Sequence, residues 1–239
     1  MQMQPLRPLL FSILFLSAPL FAADAPPRSE ADAQRDATSK PYAVLDFAGV
    51  EPGWQVMDMF AGNGYYSEIL SHRVGDTGKV YLHNNRMYMG FADKLHDRLA
   101  DGRLPNVELY ASEVEDIDLT PGSLDMTLLV MAYHDVYYEQ EGWTVTAGPL
   151  FEAIHRSLKP GGVLIIIDHH AAPGTGNAHA QDLHRIDAEF AERDIASHGF
   201  EFVAESPILQ NPGDDLAVSV FDDAVKGKTS RFVFKFRKP

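Results

Sequence analysis

The sequence predicts an α/β fold: a doubly wound, mostly parallel sheet of seven strands that closes on an antiparallel C-terminal hairpin. Three observations predict it. From residue 41 onward, short apolar runs alternate with longer segments of helical periodicity, the pattern of a sheet covered by helices on both faces. The first apolar run, Val56-Met57-Asp58-Met59, passes straight into a glycine turn, Phe60-Ala61-Gly62-Asn63-Gly64, and then a helix. The chain closes on Arg231-Phe232-Val233-Phe234-Lys235-Phe236-Arg237, whose alternation is that of a strand.

The first 40 residues stand apart from that pattern. Arg7 precedes an apolar run from Leu9 to Phe21, too short to span a bilayer comfortably. With cleavage after Ala22, residues 1–22 read as a secretory signal peptide. Residues 23–40 are polar and rich in Ala, Asp and Pro, and read as an N-terminal arm, whose Arg35-Asp36 pair is a candidate lid over the site. Residues 41–239 then form one domain. The chain has no cysteine, which rules out disulfides and suits export to a periplasm. Its net charge of −14 disfavours nucleic acid and anionic membrane as partners. Removing Arg7 with the signal makes the charge one unit more negative. No stable membrane insertion is expected after cleavage, and oligomeric state is left open.

The elements follow in order. Lys40-Pro41 opens a helix over 42–47 that ends near Gly49, and Pro52-Gly53 turns the chain into a strand over 55–59. A helix over 65–74 is stopped by Gly75 and Gly78. Residues 79–83 read as a strand, 88–100 as a helix and 107–111 as a strand. The nearly continuous apolar run 124–132 fits a strand buried on both faces. A helix over 147–158 ends at Lys159-Pro160-Gly161-Gly162, ahead of a strand over 163–168 with three consecutive isoleucines. Residues 181–198 read as one helix. Strands 200–205 and 231–237 pair across a long connection holding Asn211-Pro212-Gly213-Asp214-Asp215.

These residues carry a resemblance. The turn Asp58-x-Phe60-x-Gly62-x-Gly64, the strand opening Gly78-Lys79-Val80-Tyr81, the turn Leu158-Lys159-Pro160-Gly161-Gly162 and the final hairpin resemble class I S-adenosylmethionine-dependent methyltransferases over roughly residues 41–239. Tyr65-Tyr66, Tyr133-His134-Asp135, Asp168-His169, His184-Arg185-Ile186-Asp187 and the ending from Gly227-Lys228-Thr229 to Lys238-Pro239 look like an exported methyltransferase-like group named by fold rather than by reaction. The resemblance implies a Rossmann-like methyltransferase fold with S-adenosylmethionine as cofactor. It implies that Asp58 helps position the cofactor's amino-acid part, that Gly62 and Gly64 let the backbone approach it, and that Glu113 lies near adenine. Two departures stand out. Phe60 occupies the place of the first glycine, and the second strand ends His83-Asn84-Asn85 where an acidic residue usually accepts the ribose hydroxyls. Asn84 or Asn85 is left to serve there, Asn84 being the assigned contact.

A second constellation gathers at strand ends. Tyr133-His134-Asp135 follows the fourth strand and Asp168-His169-His170 the fifth, and in this fold those strands are neighbours. His184 and Asp187, spaced for one helix face, follow in the next helix. Three readings compete: general acid/base catalysis by a histidine oriented by a carboxylate, a divalent metal held by imidazole and carboxylate, and a polar network that only fixes loops. The catalytic assignment is His134, Asp135, Asp168, His169 and His184, with no metal assigned. Tyr65, Tyr66, Tyr137, Tyr138 and Trp143 are candidates to line a pocket. The expected function is S-adenosylmethionine-dependent methylation of a small molecule. The alternative is a repurposed fold that binds a ligand or metal in the periplasm without methyl transfer.

Overall fold

The computed structural model describes residues 28–239; the expected signal peptide and the first residues of the arm lie outside them. Two helices, α1 (Glu30–Ser39) and α2 (Pro41–Ala48), lead into the sheet. Its strands are β1 (Gln55–Met59), β2 (Lys79–Asn84), β3 (Val107–Ala111), β4 (Leu124–Val130), β5 (Leu158–His169), β6 (Glu201–Ser206) and β7 (Arg231–Arg237). The order across the sheet is β3-β2-β1-β4-β5-β7-β6. All neighbours run parallel except β7, which lies antiparallel between β5 and β6. The connecting helices are α3 (Tyr65–Val74), α4 (Arg86–Gly90), α5 (Leu95–Leu99), α6 (Ala147–Ser157), α7 (Ala180–Leu183) and α8 (Ala188–Ser197). Among the described residues, no helix is long and apolar enough to cross a membrane.

Alternation along the central strands sends successive side chains to opposite faces. Met57, Leu129 and Ile166 pack on one side with Phe151, Ile154 and Ile195 from α6 and α8. Val56, Leu128, Ile165 and Ile167 pack on the other with Leu45, Ile69 and Leu70 from α2 and α3. Both faces are therefore dry, which is why β4 and β5 read as unbroken apolar runs. At about 25 cal/mol per Å2 of apolar surface, each such side chain contributes roughly 1.5–3 kcal/mol when fully buried.

Part of the expected arm is a docked helix. Ser29 Oγ caps α1 by accepting from the Asp32 N–H at 3.1 Å. Asp32 pairs with Arg98 at 2.8 Å, and the Tyr65 hydroxyl donates to Asp36 at 2.6 Å. Arg98 also pairs with Glu68, fully buried on α3, which Arg103 meets at 2.5 Å.

Two expected helices are broken. Residues 88–100 divide into α4 and α5 around a turn, followed by a 3-10 turn at Ala100–Gly102. Residues 181–198 divide into α7 and α8 because the chain between them is pulled into extended contact with β5. His170 and Ile186 form a parallel bridge. Next to it the fully buried Arg185 guanidinium donates to both carboxylate oxygens of Asp214, at 2.8 and 3.0 Å. Asp187 restarts the helix as the N-cap of α8, accepting from the Glu189 N–H at 3.1 Å. His184 is left at the end of α7 with φ 53°, in the left-handed region.

Candidate active site

The glycine turn is closed upon itself. Asp58 is buried at the end of β1, where Ser67 Oγ donates to its Oδ2 at 2.6 Å. Burial pushes this carboxyl up to about 6, against the opposing pull of the Ser67 hydrogen bonds. Phe60 has φ 54°, a left-handed backbone that costs a bulky residue roughly 1–2 kcal/mol. That backbone turns its ring inward, with centroids 5.3 Å from His83, 4.9 Å from Tyr88 and 5.6 Å from Trp143. Gly64 is required by packing as well as by its φ of 73°, since a Cβ there would sit 2.7 Å from Leu82 Cδ1.

Strand β2 completes the closure. Asn84 is fully buried; its Oδ1 accepts from the Gly62 N–H at 2.8 Å and its Nδ2 donates to the Gly62 carbonyl at 2.9 Å. Both ends of the amide thus hold the turn rather than a ligand. His83, also fully buried, lies with Nε2 3.2 Å from the Ser112 carbonyl, and burial lowers its pKa to about 4. Glu113 Oε1 accepts from the Arg86 N–H at 3.3 Å.

The ends of β4 and β5 are built differently. Past β4 the chain turns through Met131, at φ 53°, into a short 3-10 turn, His134–Tyr137. Asp168, fully buried near the end of β5, accepts three donors there. Its Oδ2 takes the His134 backbone N–H at 2.8 Å. Its Oδ1 takes the His169 N–H at 2.7 Å and the His134 Nδ1–H at 2.8 Å. The proton on Nδ1 is assigned from this bond, because a carboxylate with no proton can only accept. His134 Nε2 therefore faces away from Asp168. It lies 3.2 Å from His184 Nδ1 and 3.2 Å from Asp135 Oδ1. The other oxygen of Asp135 accepts from the Tyr88 hydroxyl at 2.8 Å, and the Asp135 carbonyl accepts from Trp143 Nε1–H at 2.6 Å.

Burial pulls the His134 pKa down, but the charge and hydrogen bonds of Asp168 and Asp135 outweigh it and hold the imidazole at about 10. Burial likewise pushes Asp135 up, yet the bond and charge of His134 leave it below the usual carboxylate range. His184 and His169 are lowered by burial and then by the charge on His134. His169 Nδ1 lies 2.8 Å from Thr229 Oγ1.

His134, Asp135, His169 and His184 line one cavity of about 560 Å3, and Asp168 sits beneath them. Tyr88, Phe91, Met131 and Phe221 supply apolar wall, while Arg35, Lys226 and Arg231 supply positive charge. The structure thus brings together the five residues assigned to catalysis. It does not bring Asp187, which caps α8 and accepts from the Gly174 N–H at 2.8 Å. None of Asp58, Phe60, Gly62, Gly64, Asn84 and Glu113 lines this cavity. Of the five aromatics expected to line a pocket, Tyr138 and Trp143 do so. Tyr65 and Tyr66 are instead buried in the core that α2 and α3 form on the sheet, and Tyr137 packs on Phe190. Arg35 does reach the cavity, as a wall residue of the docked α1. Sequence reasoning missed Tyr88. The Asn85 side chain that caps α4 by accepting from the Tyr88 N–H is a readable start signal, but the 47-residue separation from Asp135 hides its partner.

No family model matches the chain. It is 25% identical over 188 residues to the ubiquinone/menaquinone biosynthesis C-methyltransferase UbiE of Shewanella oneidensis, a match spanning 76% of this chain and 69% of the relative. A SAM-dependent methyltransferase from Aquifex aeolicus superposes with a TM-score of 0.63 at 21% identity, covering 86% of this chain and 93% of that one. The 1,6-didemethyltoxoflavin-N1-methyltransferase of Burkholderia thailandensis, solved with 1,6-didemethyltoxoflavin and S-adenosylhomocysteine, superposes at 0.58 with 19% identity, over 87% and 81% of the two chains. These relatives are S-adenosylmethionine-dependent methyltransferases, and the chain's mostly parallel seven-stranded sheet has their Rossmann-like fold, which the [4+2]-cyclase SpnF also shares with a TM-score of 0.62 at 15% identity over 89% of this chain.

Proposed function

We propose that this chain is a methyltransferase acting on a small molecule held in the cavity at the ends of β4 and β5. The observation that carries the reading is the convergence of His134, Asp135, His169 and His184 on one 560 Å3 chamber at the carboxyl ends of the central strands. That is where open α/β sheets bind ligands, and the volume suits a drug-sized molecule. Its apolar walls and the charges of Arg35, Lys226 and Arg231 favour a compact, mostly apolar acceptor with an anionic group. Asp168 fixes the His134 ring and with Asp135 keeps it protonated, so the imidazole that can take a proton from an acceptor hydroxyl or amine in the chamber is that of His184, whose pKa is lowered.

S-adenosylmethionine is the methyl donor that the relatives imply. The glycine turn, as arranged, does not seat its nucleoside. The rings of Phe60, Tyr88 and Trp143 pack on one another beside the turn, and Asn84 is held by Gly62. The reading therefore requires those rings to part. Calorimetric titration with S-adenosylhomocysteine tests it on the wild type and on Phe60→Gly. Weak binding by the wild type and at least tenfold tighter binding by the variant is the expected result. Absence of heat from both at millimolar ligand overturns methyl transfer and leaves the chamber as a ligand site alone.

Residues 1–22 support a second part of the proposal, that the chain works outside the cytoplasm. Cell fractionation with N-terminal sequencing tests this: a processed form beginning near Ala23 in the periplasm is expected, and an unprocessed cytoplasmic chain overturns it.

A further inference from the structure

We propose that His134 Nε2, Asp135 Oδ1 and His184 Nδ1 form a site for one divalent transition-metal ion of the zinc class at the floor of the cavity. The three atoms are mutually 3.2, 3.2 and 3.9 Å apart. A triangle of those sides has a centre about 2 Å from every corner, which is the length of a zinc–imidazole or zinc–carboxylate bond. Two imidazoles and one carboxylate are the donors such an ion prefers, and they are the one group among the described residues arranged this way.

The surrounding bonds leave these three atoms free to face one point. Asp168 takes the His134 Nδ1–H and is itself held by two backbone N–H groups, so Nε2 is the ring atom turned to the cavity. A carboxylate behind a ligand histidine is the usual outer support of a metal site. Tyr88 occupies Asp135 Oδ2 and leaves Oδ1 for the centre. The backbone points the same way. His184 is kept in a left-handed conformation by the Ile186 bridge and the buried Arg185 anchor. Such strain in a β-carbon-bearing residue persists where the surroundings fix it, often at a functional site.

All three ligands line the cavity, so the ion's remaining positions open onto it. That is the arrangement of a reactive rather than a purely structural zinc site. The ion would polarise an acceptor oxygen directly, and His184 would then serve as ligand instead of proton acceptor. This inference shares the cavity with the proposed methyl transfer, but its test does not depend on the methyl donor.

The test uses untagged full-length protein, stripped with chelator and titrated with Zn2+ by calorimetry, with metal content measured after desalting. One equivalent per chain is expected. His184→Ala and Asp135→Asn should each weaken binding at least 100-fold, and Asp168→Asn, which removes only the outer support, roughly 10- to 100-fold. Substituting the half-exposed His179, which pairs with Asp182 on the surface, should leave Zn2+ binding unchanged. Co2+ should give visible absorption bands that the Asp135→Asn variant loses. Circular dichroism identifies any variant that fails to fold, and Asp135→Asn, an isosteric change, carries the test if His184→Ala does. Less than a tenth of an equivalent in the wild type, or undiminished Zn2+ affinity in a folded Asp135→Asn protein, overturns the site. Failure of S-adenosylhomocysteine binding with Zn2+ binding intact separates the two proposals.

Discussion

The two ends of one crevice differ. At β1 and β2, where the sequence carries its recognisable turn, the polar groups are turned on one another: Asn84 on Gly62, Ser67 on Asp58, and Phe60 on three rings. At the ends of β4 and β5 the polar groups converge on open space and Asp168 braces them from behind. The difference teaches that a motif can persist as a structural joint while the accessible chemistry sits two strands away. A glycine turn tolerates a new occupant because its backbone still closes the strand-to-helix corner. The histidine cluster holds its loops and also presents ring nitrogens to the cavity, and that convergence is the stronger evidence of use.

The comparison predicts that the largest loss comes from removing the brace. Asp168→Ala strands three buried donors, one of them on a positively charged imidazole. A loss of about 3–5 kcal/mol in urea unfolding is expected. A loss under about 1 kcal/mol would mean that the cluster is loosely held and the contrast overstated.

Next comes acid sensitivity at the closed end. His83 has a folded pKa of about 4, below its usual value near 6.5. The unfolded chain therefore binds a proton that the folded chain refuses, and stability is lost as pH falls from about 6.5 to about 4. His83→Leu should remove on the order of 2–3 kcal/mol of that decline, read from urea midpoints at pH 7 and pH 4.5. An unchanged decline would show that His83 is not sealed in.

Phe60→Gly is expected to lose about 3 kcal/mol of packing and regain about 1 kcal/mol of backbone strain, a net loss near 2 kcal/mol. Because the same change should open the turn, stability and nucleoside affinity ought to move in opposite directions. The smallest effect on affinity is expected for Asn84→Asp. It keeps the bond from the Gly62 N–H but sets a buried oxygen against the Gly62 carbonyl, at a cost of about 2–3 kcal/mol in stability. On its own it should leave S-adenosylhomocysteine affinity unchanged, while in the Phe60→Gly background it should tighten it. A gain from Asn84→Asp alone would show that the wild-type turn already admits the nucleoside.

Much of this contrast is legible in the sequence. Residues 124–132 and 163–168 announce a two-faced core by their unbroken apolar character, and strand neighbours place His134 beside Asp168 without any contact information. The break at His184 is not legible. No proline or glycine marks it, and its causes are a bridge to His170 and an ion pair with Asp214, 29 residues away. Asp187 did offer a signal, since an aspartate ahead of Ala188-Glu189 is a helix start, but the continuous periodicity of 181–198 obscures it. Phe60 is conspicuous in sequence as a missing glycine. Where its ring goes depends on a positive φ, which single-residue pattern cannot give. Glu113 and Asn84 show the same limit: position predicts a slot, while the partner that fills it is a backbone group elsewhere.

Helix α1 has a consequence of its own. Arg35, Thr38 and Ser39 wall the chamber, and the helix is fastened by side-chain bonds to α3, α5 and β7. A chain trimmed past Ser39 would keep every strand and still stand with its vessel open on one flank. Any expression design, natural clipping or fusion at that end is therefore an intervention in ligand retention, however far it looks from the histidines along the chain.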